Sequence, residues 1–457
     1  MLEAESPSSE KTRCQSFFVQ CSVDTDGGCP PLSRKCAAAP RCGSLLHGDA
    51  SRRSWRPVIS TVCSAAVTCR WMAESTEERD SPRRVLIVGG GIAGMSLAVA
   101  LQDSDIRADI VEANAHWTAL GMGISLTGPT CRALKSLGLL DRCVAAGFGV
   151  TRIGRIDPDA FEVTYIGEAP RLAGAAHPAS LGIMRPAFHR ILVEASRDAG
   201  ASVRLGVSVT RLEQTPQMVH ATFTDGSIKS YDLVVGADGI HSVVRRIVWG
   251  TEITPWFTGQ SVWRITVPRQ PEVEAIVTVQ GGRNANIGFN PVSTEQMYVF
   301  IVQNTPDKVR LPDDPSAAAA LAQQQLEGYG GLVARAREQI TADSQVVMRP
   351  IESILVPSPW YRGRVLLIGD AAHATTPHTA SGAGLAIEDA VVLGELLRRA
   401  TPLAQVLEEF MARRYERCRL VVENSLQVAE WEKQPEPELA KASQLLQGLR
   451  QLLAQPI

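Results

Sequence analysis

Three acidic residues, Glu112, Asp238 and Asp370, end or closely follow apolar runs that read as strands: Ala108–Val111, Leu233–Val235 and Val365–Ile368. Ligands of open α/β sheets bind beyond the carboxyl ends of the strands, so acids at these places stand where a ligand would bind. Upstream of Glu112, the strand-like run Val85-Leu86-Ile87-Val88 meets Gly89-Gly90-Gly91-Ile92-Ala93-Gly94, and an Ala/Leu/Val-rich stretch continues to Leu101. Strand, glycine turn, helix and a second strand with an acidic end form the order required to bind a dinucleotide. In that reading Gly89 makes the tight turn and Gly91 lets the backbone approach the pyrophosphate. Ala93 lies in the same cofactor-binding turn, and Gly94 allows close helix packing. Glu112 accepts from the ribose hydroxyls, while the helix N-terminus offers unpaired amides and a positive dipole end to the phosphates.

Two later clusters repeat the placement of an acid after a buried strand. The first runs Tyr231-Asp232-Leu233-Val234-Val235-Gly236-Ala237-Asp238-Gly239. The second runs Gly363 to His373, with Gly369-Asp370-Ala371-Ala372-His373 at its end, followed by Pro377 and Ser381-Gly382-Ala383-Gly384. An isolated Asp-Gly is usually only a turn; the three clusters in this order are far more specific. Of the histidines, His373 is expected to brace its turn. His378, in the loop after Pro377, is the candidate catalytic residue, because an imidazole titrates near neutral pH and can move a proton to or from a substrate hydroxyl. No metal-ligand spacing such as HExxH and no GxSxG nucleophile elbow occurs, so no metal site is expected.

On GGGIAG at 89–94, GADG at 236–239 and GDAAH with its following glycines at 369–384, the sequence resembles the FAD-dependent aromatic hydroxylases, the single-component flavin monooxygenases of the para-hydroxybenzoate and salicylate hydroxylase type. The likeness spans about residues 83 to 430. It implies that Gly89, Gly91, Gly94 and Glu112 hold the ADP half of FAD, that Asp370 bonds the ribityl chain and that Asp238 sits near the pyrophosphate. It also implies that Arg185 contacts the flavin, and that Gly382, Ala383 and Gly384 carry the loop at the flavin edge. Gly384 is read as opening a helix to about Arg398, whose positive end would stabilise negative charge on reduced flavin. One departure is visible: Ala380 stands where many relatives have glycine. The implied activity is hydroxylation of an aromatic, indole-like or polyketide-like small molecule, using NAD(P)H and O2 through a flavin C4a-hydroperoxide. A flavin-dependent oxidase, dehydrogenase or reductase without oxygen insertion is the alternative, and a flavin-binding regulator without turnover is a weaker one. A second GxGxxG, a redox-active CxxC and the flavin-halogenase tryptophan signature are all missing, which favours a hydroxylase with transient NAD(P)H docking.

These residues call for an α/β fold: a Rossmann-like FAD-binding domain interleaved with a β-sheet substrate domain and C-terminal helices. The expected division is FAD-binding over 83–180 and 181–254, substrate sheet and helices over 255–345, the Gly-Asp motif over 346–400 and C-terminal helices over 401–457. Alternation of Val, Ile and Thr from Gly259 to Val302 reads as strands, and the resemblance implies that this sheet lines the substrate pocket. Trp263 and Arg264 are its pocket candidates, whereas the default for each aromatic there is core packing. Residues 313–340 read as a helical pair and 402–431 as a long helix. With 457 residues and a formal charge of -2, the chain has no cationic surface for a nucleic-acid backbone. It also has no apolar run long enough to span a membrane, and the cytoplasm is the default location. Seven of the ten cysteines precede residue 72, without CxxC pairs or repeating spacing, in a Ser/Pro/Arg/Gly-rich segment. Residues 1–82 are therefore expected to be a disordered extension, with Met72 as a plausible biological start and 1–71 without function.

Overall fold

The computed structural model describes residues 81–457 apart from 119–120, 158, 281–285 and 435–437. The expectation for residues 1–82 lies outside the described residues but for its last two positions.

A six-stranded sheet organises the molecule. Its order is Tyr361–Arg362, Val365–Leu367, Leu233–Gly236, Arg84–Val88, Arg107–Glu112 and Ser202–Leu205, all parallel except the first short pair. Val85 to Val88 are at most 1% exposed, as continuous apolar strands must be when both faces of a parallel sheet are covered. One core joins this sheet to the helices Ile92–Ala100, Gly382–Leu397 and Leu403–Glu432 and to the antiparallel strands Val209–Gln214, Val219–Phe223 and Ile228–Tyr231. The fingerprint helix Ile92–Ala100 is apolar all round and buries every residue but Ile92, which is the pattern of an interior helix. The strands that precede the glycine turn and the two aspartate motifs are neighbours in the order 365–367, 233–236, 84–88 and parallel in direction, with the Glu112 strand 107–112 next in line. Segments almost 300 residues apart in the chain therefore end on one edge of the sheet.

A five-stranded antiparallel sheet forms the second layer, in the order Val277–Gln280, Asn286–Pro291, Gln296–Asn304, Trp256–Pro268 and Val346–Ser353. Side chains alternate between its faces. Trp263, Ile265, Val299 and Ile301 pack with Ala319, Ala322, Leu332 and Val333 of the helices Pro315–Gln325 and Gly331–Glu338. Val262, Arg264, Tyr298, Phe300 and Val302 point the other way, into the main cavity. Between the layers lies a small sheet of Gly123–Leu126, Ser180–Met184 and Phe148–Val150. It approaches the substrate sheet so closely that a methyl group on Gly182 would lie 1.9 Å from the Pro291 carbonyl oxygen. Helices Leu403–Glu432 and Leu439–Ala454 close the chain. Among the described residues no helix is long and apolar enough to cross a membrane.

Candidate cofactor and substrate site

The glycine turn has the geometry its sequence predicts. Gly89 takes φ +112, and a side chain there would lie 2.3 Å from the Ala237 carbonyl oxygen. A methyl on Gly94 would sit 2.0 Å from the Gly89 carbonyl oxygen, so helix and turn touch backbone to backbone. Gly91 differs: a methyl there meets no atom within 4 Å, because it faces the cavity. Ala93 lines the same cavity. Glu112 is fixed at the rim, its two carboxylate oxygens accepting from the Gly90 and Asn114 amides at 2.8 Å each. Trp117 Nε1 donates to the Gly90 carbonyl at 2.9 Å and completes the turn's framework.

Asp370 follows Gly369, whose φ of +58 turns the chain sharply out of the strand. Its carboxyl opens onto the cavity, and among the described residues no donor reaches it. Burial within the protein pushes its pKa up, against the positive fields of His373 and Arg185. Arg185 is the first residue of the helix Arg185–Asp198 and lines the same cavity. The loop Thr375–Ala383 borders it as well, and the helix after it starts at Gly382, two residues before the expected Gly384. Gly382 and Ala383 line the cavity. Gly384 has another duty: a methyl there would meet the Thr130 hydroxyl at 2.3 Å, so glycine lets the helix Gly128–Ser136 pack against it. Ala380 adopts φ +49, the left-handed conformation that favours glycine. Asp238 lines a smaller adjoining cavity with Gly89, Gly91 and Glu112. Its carboxylate accepts from the Ser242 hydroxyl and from the Val243 and Val244 amides, so it also caps the helix Val243–Trp249.

The two histidines face protein groups. His378 borders the cavity through its loop, but its side chain is 1% exposed; Nδ1 lies 2.8 Å from the Thr376 hydroxyl and Nε2 3.1 Å from Glu432 Oε2. The ring thus ties the loop to the end of the long helix Leu403–Glu432. His373 is buried against Trp360 and bonds Asp389 at 2.7 Å. Asp389 also accepts from the Gly369 amide (2.8 Å) and Arg414 Nε (2.8 Å), and Arg414 reaches Glu388 at 2.9 Å. Burial works against a charge on His373, yet Cys418 and Asp389 hold its pKa well above the ordinary value. His373, Asp389 and Cys418 carry atoms close enough to hold a metal. Arg414, however, donates to both Asp389 and Cys418, so this is an ion-pair network occupied by a guanidinium.

The substrate sheet supplies the opposite wall. Arg264 faces the cavity, but Trp263 does not. One strand position apart, the two must point to opposite faces, and Trp263 is 4% exposed in the core beneath the sheet, bonding Gln303 through Nε1. Phe289 is likewise core, whereas Tyr298 and Phe300 line the cavity. Sequence reasoning did not single out Tyr298 as a site residue. Its hydroxyl lies 3.1 Å from both Ser125 Oγ and Asn290 Nδ2, a link between two sheets that only the fold reveals; the period-two offset from Arg264 across the paired strands was the available signal. Burial lowers the pKa of Arg264, with Tyr298 opposing and Arg185 reinforcing the shift. Among the described residues it has no hydrogen-bonded or ion-pair partner.

Gly91, Glu112, Asp370, Arg185, the 375–383 loop, Arg264 and Tyr298 border one cavity of about 1060 Å³, at the upper end of the roughly 300–1,000 Å³ of ordinary small-molecule sites. It extends from a cradle shaped for a pyrophosphate to a polar and aromatic wall, as a site for a dinucleotide and a second small molecule requires. Fold and site define a flavin-type dinucleotide-binding protein with a separate substrate layer. Residues 83–425 match the FAD binding domain family. The 2-heptyl-3-hydroxy-4(1H)-quinolone synthase of Pseudomonas aeruginosa is 32% identical over 358 residues, covering 76% of this chain and 90% of the relative. The FAD-dependent urate hydroxylase of Klebsiella oxytoca is 31% identical over 354 residues, covering 74% and 88%. Among solved structures, Klebsiella pneumoniae HpxO complexed with FAD and uric acid superposes with a TM-score of 0.72 at 27% identity, covering 82% of this chain and 97% of that one. The chain belongs to the family of FAD-dependent aromatic hydroxylases, and it is an FAD-dependent oxidoreductase.

Proposed function

We propose that the protein is a monooxygenase that uses NAD(P)H and O2 to hydroxylate a small electron-rich aromatic or heteroaromatic molecule bearing an acidic oxygen or nitrogen. The observation that carries this reading is the single cavity joining the glycine cradle to Arg264 and Tyr298. The relatives' names point to aromatic ring substrates, and the unpaired Arg264 adds the acidic group. Arg264 is half-buried on the cavity wall without a counter-charge, so an anionic or strongly accepting ligand binds there with a gain that a neutral hydrocarbon does not obtain.

FAD, when bound, supplies hydride acceptance and oxygen activation. The rest falls to residues of the chain. Gly91 would leave room for the pyrophosphate, with the amides of the fingerprint helix and Asp238 nearby. Glu112 would receive ribose hydroxyls, and Asp370 a ribityl hydroxyl. Gly382 and Ala383 would offer the positive helix end to the flavin ring, and Arg185 would add a positive charge beside it. Arg264 orients the substrate, and Tyr298, held by Asn290 and Ser125, offers a hydroxyl that can pass a proton to or from it. Val262, Phe300 and Val302 on the same sheet face would help exclude water.

The test is rapid mixing of the anaerobically reduced protein with oxygenated buffer, followed by flavin absorbance, with and without phenols, uric acid and alkylquinolones. A transient distinct from oxidised flavin whose decay one compound accelerates, with oxygen from O2 found in the product, establishes the proposal. Direct return to oxidised flavin with every compound, and no labelled product, points instead to an oxidase or reductase.

A further inference from the structure

The last helix, Leu439–Ala454, lies beyond the residues matched by the family, yet its final turn borders the cavity through Arg450, Leu453 and Ala454. The end of that helix is held in an unusual way. Arg132 donates to the carbonyls of Ala454 at 2.7 Å, Gln455 at 2.8 Å and Leu453 at 3.2 Å. Arg417 donates to Leu453 at 2.9 Å and Leu452 at 3.1 Å. A helix terminus leaves its last carbonyls short of intrahelical partners, and they carry the negative end of its dipole; of these, Leu452 also accepts from the Gln455 amide. Arg417 is itself held by both oxygens of Glu388 at 2.8 Å. Glu388, with a side chain 1% exposed, sits on the helix whose first residues face the flavin. The terminal helix is thus bolted to the cofactor-binding helix through a buried carboxylate.

We infer that the final turn of this helix is an access and specificity wall of the cavity. Leu453 and Arg450 select what fits beside the flavin, and Arg132 and Arg417 are positioning residues that keep the wall in place. Leu453 gives the wall an apolar face. Arg450 is exposed and makes no hydrogen bond or ion pair with the described residues, so the ligands favoured are aromatic compounds carrying an apolar arm with a polar or anionic end. The inference rests on the reading of this cavity as the shared site of FAD and substrate.

The experiment uses the full-length holoprotein and potassium iodide as a quencher of bound-flavin fluorescence, together with NAD(P)H oxidation without an aromatic compound. Arg132→Gln is expected to raise the quenching constant several-fold and to increase futile oxidation, and Arg132→Lys to recover part of the protection. Arg450→Glu, an exposed change that leaves the core untouched, is expected to raise KM several-fold for anionic aromatics with little change in kcat. It keeps the inference testable if Arg132→Gln does not fold. Unchanged quenching in Arg132→Gln with full FAD occupancy, or an unchanged order of substrate preference in Arg450→Glu, overturns the inference alone. Absence of FAD from the unaltered protein overturns the reading of the cavity, and the inference with it.

Discussion

At the scale of single residues, the fingerprint glycines make separable demands. A methyl on Gly94 collides with backbone at 2.0 Å, whereas one on Gly91 enters open space. Gly94→Ala should therefore lower the melting temperature sharply or abolish soluble protein. Gly91→Val should melt near the unaltered apoprotein and lose flavin, since only the space reserved for the pyrophosphate is filled. Comparing thermal melts with flavin content distinguishes the two. Asp370→Ala removes an acceptor that no protein donor uses, so the fold should survive while FAD binding weakens by about 10–100-fold, the value of one hydrogen bond to a charged group. Tight flavin and full turnover in that variant would contradict the role given to Asp370. Arg264→Gln should leave flavin content unchanged and raise KM for an acidic substrate by about 10-fold or more on the same basis.

At the scale of elements, the cofactor-binding helix and the long C-terminal helix meet through His373, Asp389, Arg414 and Glu388, whose side chains are at most 1% exposed. Removing one partner leaves its mate buried and unpaired, so Asp389→Asn should cost about 3–5 kcal/mol, measurable by denaturant unfolding. The pH dependence has a definite sign. Burial opposes ionisation of Asp389, but His373 and Arg414 hold its pKa below the usual carboxylate range. That contribution is present above the unfolded carboxylate value and disappears as pH falls through the depressed one. The raised pKa of His373 acts in the opposite sense. Its contribution is complete below the unfolded value of about 6.5 and fades as pH rises through the raised one. Stability should therefore decline on the alkaline side in the unaltered protein, and His373→Gln should flatten that limb. Local signals made much of the site legible in advance. Gly89 to Gly94, Glu112 and Asp370 lie in contiguous motifs whose spacing carries their geometry. The partners of His373 and His378, the arginines on the terminal carbonyls and the Ser125–Tyr298–Asn290 link join segments tens to hundreds of residues apart. Their pairing is decided by packing, so no local pattern announces it. Trp263 was misplaced for a simpler reason: alternation shows that neighbours part to opposite faces, but not which face holds the ligand.

For the whole molecule, the small sheet between the layers meets the substrate sheet backbone to backbone, and the glycine at 182 permits that approach. Gly182→Ala would force a methyl onto the Pro291 carbonyl, 1.9 Å away in the present geometry. Prising the substrate sheet from the flavin layer should admit water and loosen Arg264 and Tyr298 relative to the cofactor. The expected outcome is more NAD(P)H consumed per hydroxylated product, read by comparing NAD(P)H oxidation with product formed, at nearly unchanged FAD content. If the ratio does not move, the layers are not coupled in this way.

The central sheet draws neighbouring strands from residues 84–88, 233–236 and 365–367, and the motifs that follow them border the cavity proposed for FAD or the smaller one adjoining it. No contiguous stretch of the chain can hold the cofactor by itself. A ligand that binds only the assembled state stabilises that state by mass action, by about 2.7 kcal/mol at a hundredfold excess over Kd. Flavin absorbance, once FAD is bound, would then be a report on the whole tertiary structure. Damage far from the flavin, if it unseats any one of the three segments, will be seen first as bleaching, and vitamin supply during expression will decide how much folded protein accumulates.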